Sequence, residues 1–259
     1  MCLSDVMIST VDEVVIIDVE NLVKKFEDVV ALKRISFKVF KGEVFGFLGP
    51  NGAGKTTTVN ILTGLLKPTS GKVLVLGHEA TKDISRIEWF IGVCPQETAV
   101  FNHLTGWENI EFFANLYLLD KNIVKERSRM LIEKMGLSTD IKRKVGKYSG
   151  GMKRRLSLIL SLIHDPEVLF LDEPTVGMDP QSRRAVWDLI NELKKLGKTV
   201  FLTTHYMEEA EELCDRLAII DHGKIIALGT PKELISKYNV KNLEDVFIAL
   251  TGRKIREGM

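Results

Sequence analysis

The residues best suited to chemistry in this sequence form a glycine-rich loop that ends in a lysine and a threonine. Glycines allow consecutive backbone N–H groups to converge on phosphate oxygens, because no Cβ atoms stand in the way. In a loop of the pattern G-x-x-x-x-G-K-[ST], the lysine contacts the β- and γ-phosphates, and the hydroxyl is a ligand of Mg²⁺. We therefore predict a site for Mg-ATP at Gly49, Pro50, Asn51, Gly52, Ala53, Gly54, Lys55 and Thr56, with the adjacent Thr57.

Two acids that follow an apolar run are the second chemical feature. The run 168–171 is typical of a buried strand, and Asp172 and Glu173 come directly after it. Open α/β sheets bind ligands at the carboxyl ends of their strands, so Asp172 is a candidate ligand of the metal ion. Glu173 is a candidate general base that polarises an attacking water. Two acids in this position could instead cap a helix, but their pairing with the phosphate loop favours the metal site.

Buried strands and helices must bring these two segments together. Residues 42–48 are an apolar run bounded by glycines, which predicts a buried strand leading into the phosphate loop. Val59, Leu62, Leu65 and Leu66 then recur at helical spacing. The alternation of strands with helices predicts a mostly parallel α/β sheet with a helical insert in its middle. Further strands are predicted at 14–19, 31–40, 168–171 and 199–203, a hairpin at 217–228, and a helix after Asp179-Pro180.

Composition excludes several classes of protein. The chain is 45% apolar and 27% charged, which argues against a disordered or fibrous protein, and its net charge of +1 gives no reason to expect a nucleic-acid partner. Cys2, Cys94 and Cys214 are far apart, odd in number and without the spacing of metal ligands, so we expect neither a disulfide framework nor a zinc site. Residues 1–13 do not resemble a signal peptide, and apolar stretches such as 156–163 are too short to span a bilayer. Work at a membrane would therefore require another, membrane-spanning chain.

A third segment, Tyr148-Ser149-Gly150-Gly151-Met152, separates the remaining possibilities. Ser149 is a candidate helix N-cap, and the glycines expose N–H groups that could bind a second anion. Capping alone is the simpler interpretation. The order of the three segments, however, resembles that of the ABC ATPases, whose signature is usually LSGGQ. Met152 replaces the usual Gln and Tyr148 the usual Leu, but the phosphate-facing atoms belong to Ser149 and the glycines, so we expect activity to survive.

The resemblance extends over about 14–252 and assigns roles to further residues. Gln96 resembles the Q-loop glutamine, which would join the metal site to the helical subdomain. Gly177-Met178-Asp179 resembles the D-loop, and His205 resembles the switch histidine that contacts the γ-phosphate. Phe26 stands where the family keeps an aromatic residue, commonly Tyr, that stacks on adenine. Taken alone, His205 would more often be structural and Phe26 a core residue.

The resemblance also implies a fold and a division of the chain. It implies an α/β P-loop NTPase with a mostly parallel central sheet, an N-terminal antiparallel β element and a helical subdomain between the phosphate loop and the Asp172 strand. The helical subdomain would span about 95–164 within an ATPase domain at 14–252. Residues 1–13 would be an N-terminal extension and residues 253–259 a C-terminal tail.

The family mechanism implies partners. Two cassettes of this family close head to tail, so that Ser149, Gly150 and Gly151 of one chain would complete the ATP site of the other. The second cassette is either an identical chain or a close paralogue. Glu173 would orient water, while Lys55, Mg²⁺ and His205 hold the charge on the γ-phosphoryl group. A helix of an integral membrane subunit would dock near Gln96 and the segment 101–117.

The function implied is ATP hydrolysis coupled to transport, at the cytoplasmic face of the cell membrane. The segment 243–252 resembles the branch that serves drug, lipid and polysaccharide exporters. The alternative is a soluble ABC ATPase acting on DNA or ribosomes. ABC ATPases of the chromosome-repair type contain long coiled-coil segments, and those of the translation-factor type contain two cassettes in one chain. This sequence has neither feature, and no nucleic-acid partner is expected. A small-molecule P-loop kinase would leave the signature, Gln96 and His205 without a role.

Overall fold

The computed structural model describes residues 14–252. The predicted extension at 1–13, the predicted tail at 253–259 and the prediction that no signal peptide is present lie outside these residues. The largest element is a six-stranded sheet in which every neighbouring pair is parallel except the outermost hairpin. Side by side, its strands are β10 (Lys224–Gly229), β9 (Arg216–Asp221), β3 (Val44–Leu48), β8 (Thr199–Thr204), β7 (Val168–Asp172) and β6 (Ile91–Cys94).

A second, antiparallel sheet packs against the first. Its order is β2 (Val29–Phe40), β1 (Val15–Phe26), β4 (Ser70–Val75) and β5 (His78–Glu79). Phe37 of this sheet meets Phe45, Phe47 and Phe201 of the parallel sheet, with ring centroids 5.4 to 5.9 Å apart. Such aromatic contacts bury a large apolar area and hold the two sheets together. The predicted fold class, a P-loop NTPase with an antiparallel β element at its N-terminal side, is confirmed.

Helices follow the strands and form the insert between β6 and β7. Asp179 caps the helix that begins at Pro180, as the sequence predicts. Thr105 and Glu108 form a capping box at the start of the helix Gly106–Leu116, which the sequence analysis did not predict. The insert consists mainly of three helices, Gly106–Leu116, Lys121–Lys134 and Gly150–Leu162. The helices are α1 (Lys55–Leu62), α2 (Ile84–Ile87), α3 (Gly106–Leu116), α4 (Lys121–Lys134), α5 (Gly150–Leu162), α6 (Pro180–Lys195), α7 (Met207–Leu213), α8 (Pro231–Tyr238) and α9 (Leu243–Thr251).

One local prediction needs correction, and one strand of the parallel sheet was not predicted. Helix α1 ends at Leu62, because Thr63 leaves the helical conformation and Gly64 has a φ of 75°. Leu65 and Leu66 therefore lie outside the helix, and Leu65 is 73% exposed rather than part of a buried stripe. Strand β6 was not predicted, because a run of four residues is too short to show a clear hydrophobic pattern. Within residues 14–252, no helix is both long enough and apolar enough to cross a membrane.

Candidate functional site

The strand order brings three chain segments to one edge of the parallel sheet. Strand β8 lies between β3 and β7, and all three run in the same direction. The phosphate loop follows β3, Glu173 follows β7, and His205 follows β8. The carboxyl ends of parallel strands form a common crevice, which is where open α/β sheets bind ligands.

The path of the phosphate loop depends on glycine at particular points. Gly54 has a φ of 110°, and a Cβ atom there would lie 2.6 Å from Leu32 Cδ2. A Cβ atom on Gly49 would lie 2.2 Å from the carbonyl oxygen of Ile220. The loop is therefore pressed against its neighbours at both ends, and helix α1 begins directly after it at Lys55.

Lys55 is bent back over the loop that precedes it. Its side chain is only 4% exposed, and Nζ donates to the carbonyl oxygens of Gly49 at 2.7 Å and Pro50 at 3.1 Å. The same Nζ lies 3.0 Å from Glu173 Oε1. The lysine is thus held where its charge faces the loop, as a phosphate-binding lysine must be.

Glu173 is the centre of the charged cluster. Its Oε1 contacts both Lys55 and Nδ1 of His205, the latter at 3.2 Å, and its own φ is 51°. Burial alone would raise the pKa of this carboxyl, but the contact from His205 and the positive charge of Lys55 outweigh burial and place the pKa at about 2. The structure therefore brings together the three residues predicted to be catalytic.

The predicted metal ligands supply the oxygen atoms that Mg²⁺ prefers. Thr56 Oγ1 donates to Gln96 Oε1 at 3.4 Å, and Asp172 is buried with Oδ1 accepting a hydrogen bond from Thr203 Oγ1. Among residues 14–252 there is no cluster of three or more His, Cys, Asp or Glu side chains able to hold a metal. A site with one carboxylate fits Mg²⁺, which usually keeps several waters and binds substrate phosphates.

A cavity of about 180 Å³ connects these groups. Its wall includes Gln96 and Glu173, together with Ala31, Asn51, Gly52, Gly54, Lys55, Thr56 and Thr57. Phe26, at the end of β1, is not among the described residues that line the cavity. The residue is 44% exposed, and Lys24 Nζ lies over its ring, 4.7 Å from the centroid. The structure thus brings Gln96 to the phosphate loop and leaves Phe26 as an exposed aromatic.

The signature segment lies apart from the cavity and opens helix α5. Ser149 is the N-cap, and its Oγ accepts a hydrogen bond from the backbone N–H of Met152 at 3.2 Å. A Cβ atom on Gly150 would meet nothing within 4 Å, so this helix end is open on one side. Tyr148, one of the departures from the usual signature, is buried and donates its hydroxyl to the Asp140 carbonyl at 2.7 Å.

Sequence reasoning missed two side chains at the site. Thr203 Oγ1 connects Asp172 to the backbone N–H of Glu173, which donates to it at 3.0 Å. Arg154 lies in α5 with 5% of its surface exposed, and it donates to the main-chain carbonyl oxygens of Gln96 and Glu173. It belongs to the basic run Lys153-Arg154-Arg155, a pattern that is typical of a solvent-exposed helix face. The sequence therefore contains no signal that Arg154, unlike its neighbours, is buried.

Comparison with known proteins gives consistent matches. A family model described as "ABC transporter" matches residues 32–176. The linearmycin resistance ATP-binding protein LnrL of Bacillus subtilis is 43% identical over 238 residues, which are 92% of this chain and 75% of that protein. The doxorubicin resistance ATP-binding protein DrrA of Mycobacterium tuberculosis is 48% identical over 206 residues, which are 80% of this chain and 62% of that protein.

Solved structures agree with this result. The ATP-binding subunit of an ABC transporter superposes with a TM-score of 0.84 at 26% identity, over 91% of this chain and 99% of that one. A dimeric ATP-binding cassette in a post-hydrolysis state, bound to ADP and phosphate, shares the fold with a TM-score of 0.76 at 24% identity, over 83% of this chain and 98% of that one.

Proposed function

This chain belongs to the ABC transporter family of ATP-binding subunits, and we propose that it is the ATPase that drives an exporter. The observation that carries the proposal is the convergence of Lys55, Glu173 and His205. Lys55 ends the loop that follows β3, while Glu173 and His205 directly follow the parallel strands β7 and β8. The two relatives described above are named for resistance to linearmycin and doxorubicin, which favours export of such compounds. The chain spans 62% of the second relative's length, so the resemblance leaves more than a third of that protein unmatched.

The cluster suits hydrolysis of a phosphoanhydride. Loop N–H groups and Lys55 would hold the phosphates, so that Glu173 is released to orient and polarise the attacking water. With its pKa at about 2, Glu173 is ionised at neutral pH and has the charge state of a general base. His205 would donate to the γ-phosphoryl group as negative charge develops there. Mg²⁺, held by Thr56, Gln96 and Asp172, would neutralise charge on the phosphates.

A second cassette would complete the site. Ser149, Gly150 and Gly151 do not line the cavity among the residues that the structure describes, yet their helix end is open to an anion. We propose that these residues contact the γ-phosphate bound to a partner chain in a head-to-tail dimer. Phe26 is proposed to stack on adenine once Lys24 moves from the ring.

A membrane subunit would dock in an apolar groove beside the Gln96 segment. The groove has a volume of about 380 Å³, and its wall includes Leu65, Val93, Pro95, Phe113 and Tyr117. Exposed apolar side chains such as Leu116 and Trp89 stand near its wall residues in sequence, and clustered exposed apolar surface marks partner sites. This groove overlaps the predicted docking surface at 101–117 in Phe113 and Tyr117, and we propose that the chain works at the cytoplasmic face of the membrane.

The test is purification of the tagged chain from membranes in mild detergent, with ATPase assays and mass spectrometry of what co-elutes. We expect Mg²⁺-dependent ATP hydrolysis and a stoichiometric protein with several membrane spans. Recovery from the soluble fraction with ribosomal proteins or DNA would overturn the exporter proposal in favour of a soluble ABC ATPase. Absence of ATP hydrolysis in the complex would overturn the catalytic proposal itself.

A further inference from the structure

One buried arginine outside the predicted site uses its whole guanidinium group on main-chain oxygens. Arg154 stands in the first turns of α5, and its side chain is enclosed by the segments that follow β6 and β7. Its five N–H groups donate to five carbonyl oxygens: Nε to Pro174 at 3.2 Å, Nη1 to Pro95 and to Gln96 at 2.7 Å, and Nη2 to Asp172 and to Glu173 at 2.8 Å.

This arrangement satisfies a buried charge without a carboxylate partner. Among the described residues, Arg154 forms no ion pair with an Asp or Glu side chain, and all five of its N–H groups donate to carbonyl oxygens. A buried charge without hydrogen-bond partners is strongly destabilising, so the fold depends on all five of these bonds. Lysine could not replace it, because an ammonium group has three donors and lacks the planar fork.

The five acceptors belong to the two segments that carry predicted catalytic groups. Pro95 and Gln96 form the segment whose glutamine side chain meets Thr56, and Asp172 to Pro174 form the segment that holds Glu173 against Lys55 and His205. Arg154 itself stands five positions after Ser149, on the helix that the signature opens. A single side chain therefore connects the signature helix to both segments.

We propose that Arg154 is a positioning residue for ATP hydrolysis: it fixes the backbone of the Gln96 and Glu173 segments to helix α5. Any movement of α5 caused by contact of the signature with a second nucleotide site is thereby passed to the metal-binding and water-activating side chains together. The inference rests on the proposed ATPase activity. It assigns Arg154 no contact with nucleotide, so its loss affects turnover more than ATP binding.

Arg155 is the matched control on the same helix. It is also partly buried, and its Nη1 donates to the carbonyl oxygen of Met135 at 2.6 Å. Its recorded contact lies within the helical insert and not in the Gln96 or Glu173 segment. Replacing either arginine with lysine removes a guanidinium group from α5. Only Arg154→Lys removes the hydrogen bonds to the Gln96 and Glu173 segments.

The experiment compares the wild type with Arg154→Lys and Arg155→Lys, each assayed for kcat, for KM of ATP and for melting temperature. We expect Arg154→Lys to lower kcat by about 10- to 100-fold, the cost of catalytic groups displaced by about 1 Å, while KM for ATP changes by less than about threefold. We expect Arg155→Lys to keep kcat within about threefold of the wild type, even if its melting temperature falls as much as that of Arg154→Lys.

Three outcomes would overturn the proposal: an unchanged kcat in Arg154→Lys, a parallel loss of kcat in Arg155→Lys, or a rise in KM that accounts for the whole effect. Should Arg154→Lys fail to fold, Arg154→Met takes its place, since it buries no charge. If both Arg154 variants fail to fold while Arg155→Lys folds, the role of Arg154 is purely structural and the proposal is overturned as well. An inactive wild type would contradict the proposed ATPase activity and, with it, the inference that rests on that activity.

Discussion

At the scale of single residues, one carboxylate oxygen holds two basic groups. Glu173 Oε1 lies 3.0 Å from Lys55 Nζ and 3.2 Å from His205 Nδ1, and all three side chains are nearly inaccessible to water. Each of these groups would have a different task once phosphates enter the loop. The contacts of Glu173 thus hold Lys55 and His205 in place before ATP binds, whereas hydrolysis requires the three side chains to separate. Phosphate entering the loop would replace Glu173 as the partner of Lys55, and the carboxylate would then be free to act on water.

Replacement of Glu173 by glutamine separates these tasks. Glu173→Gln keeps the size and hydrogen-bonding capacity of the side chain but removes the base, so we expect ATP turnover to fall by about 100-fold or more. Because Lys55 and the phosphate loop are unchanged, ATP binding should persist and an ATP-bound dimer should accumulate. Turnover and size-exclusion chromatography with Mg-ATP measure the two effects. Glu126→Gln, an exposed position on α4, is the control, and wild-type turnover in Glu173→Gln would remove Glu173 from the catalytic role.

The same carboxylate gives stability a pH dependence with a defined sign. Its pKa falls from the ordinary 4.5 to about 2 on folding, so the folded state releases this proton more readily than the unfolded state. The contribution is complete above pH 4.5 and is lost as the pH falls toward 2. A shift of this size corresponds to about 3 kcal/mol at neutral pH. Urea unfolding of wild type and Glu173→Gln between pH 5 and 2.5 should show the steeper loss in the wild type, and equal slopes would contradict this assignment.

At the scale of elements, the phosphate loop owes its shape to the strand before it, the helix after it and the walls beside it. Gly54 is the last loop residue before α1, at a φ of 110° that L-amino acids avoid, and it touches the side chain of Leu32 on β2. The loop is therefore a junction between the two sheets as well as a binding surface. A change at this point should affect the ATP site and the packing of the sheets at once.

Gly54→Ala tests this dual role. The new Cβ would lie 2.6 Å from Leu32 Cδ2 and 3.0 Å from the carbonyl oxygen of Ala31, and the left-handed backbone would be strained as well. We expect a loss of about 2 kcal/mol or more in unfolding free energy and ATP binding weakened at least tenfold. Gly197→Ala is the control: its φ is 77° and nothing lies within 4 Å of the new Cβ, so it should cost about 1 kcal/mol and leave ATP affinity unchanged. Thermal melts and nucleotide titrations decide the comparison, and equal effects of the two variants would contradict it.

At the scale of the whole molecule, what could be predicted depends on how far apart the interacting residues lie in the sequence. The phosphate loop and the acids after β7 were predictable because local patterns, an apolar strand followed by glycines or carboxylates, specify them. The capping of α5 by Ser149 and of α6 by Asp179 was predictable for the same reason. The meeting of β3, β8 and β7 at one edge then follows from the fold class.

Arg154 was not predictable, because its five acceptors come from two segments distant from it in the chain and are carbonyl oxygens that every residue possesses. Strand β6 was missed because four residues carry too little periodicity, and its place beside β7 is set by pairing rather than by its own sequence. Leu65 was assigned to a buried helical face because apolar spacing continues past the point where Gly64 ends the helix. Its exposure instead makes it part of the surface proposed for the membrane subunit.

Leu65 offers a test of that surface which leaves the core of the chain untouched. The side chain is 73% exposed and lines the apolar groove beside Val93 and Phe113. Leu65→Glu would place a charge where a docking helix must bury apolar surface, so the membrane subunit recovered with the tagged chain should fall by about tenfold or more, the equivalent of one lost apolar contact and a desolvated charge.

Leu196→Glu is the matched control for this test. Leu196 is 68% exposed, follows α6 and is not among the residues that line the groove, so the same substitution adds the same charge at a distance from the proposed contact. Both variants should melt within a few degrees of the wild type, since neither buries the new charge. Retention of the membrane subunit by Leu196→Glu but not by Leu65→Glu places the docking helix in the groove. Equal retention by both would move the docking surface elsewhere, while equal loss would show that the complex responds to net charge rather than to this contact.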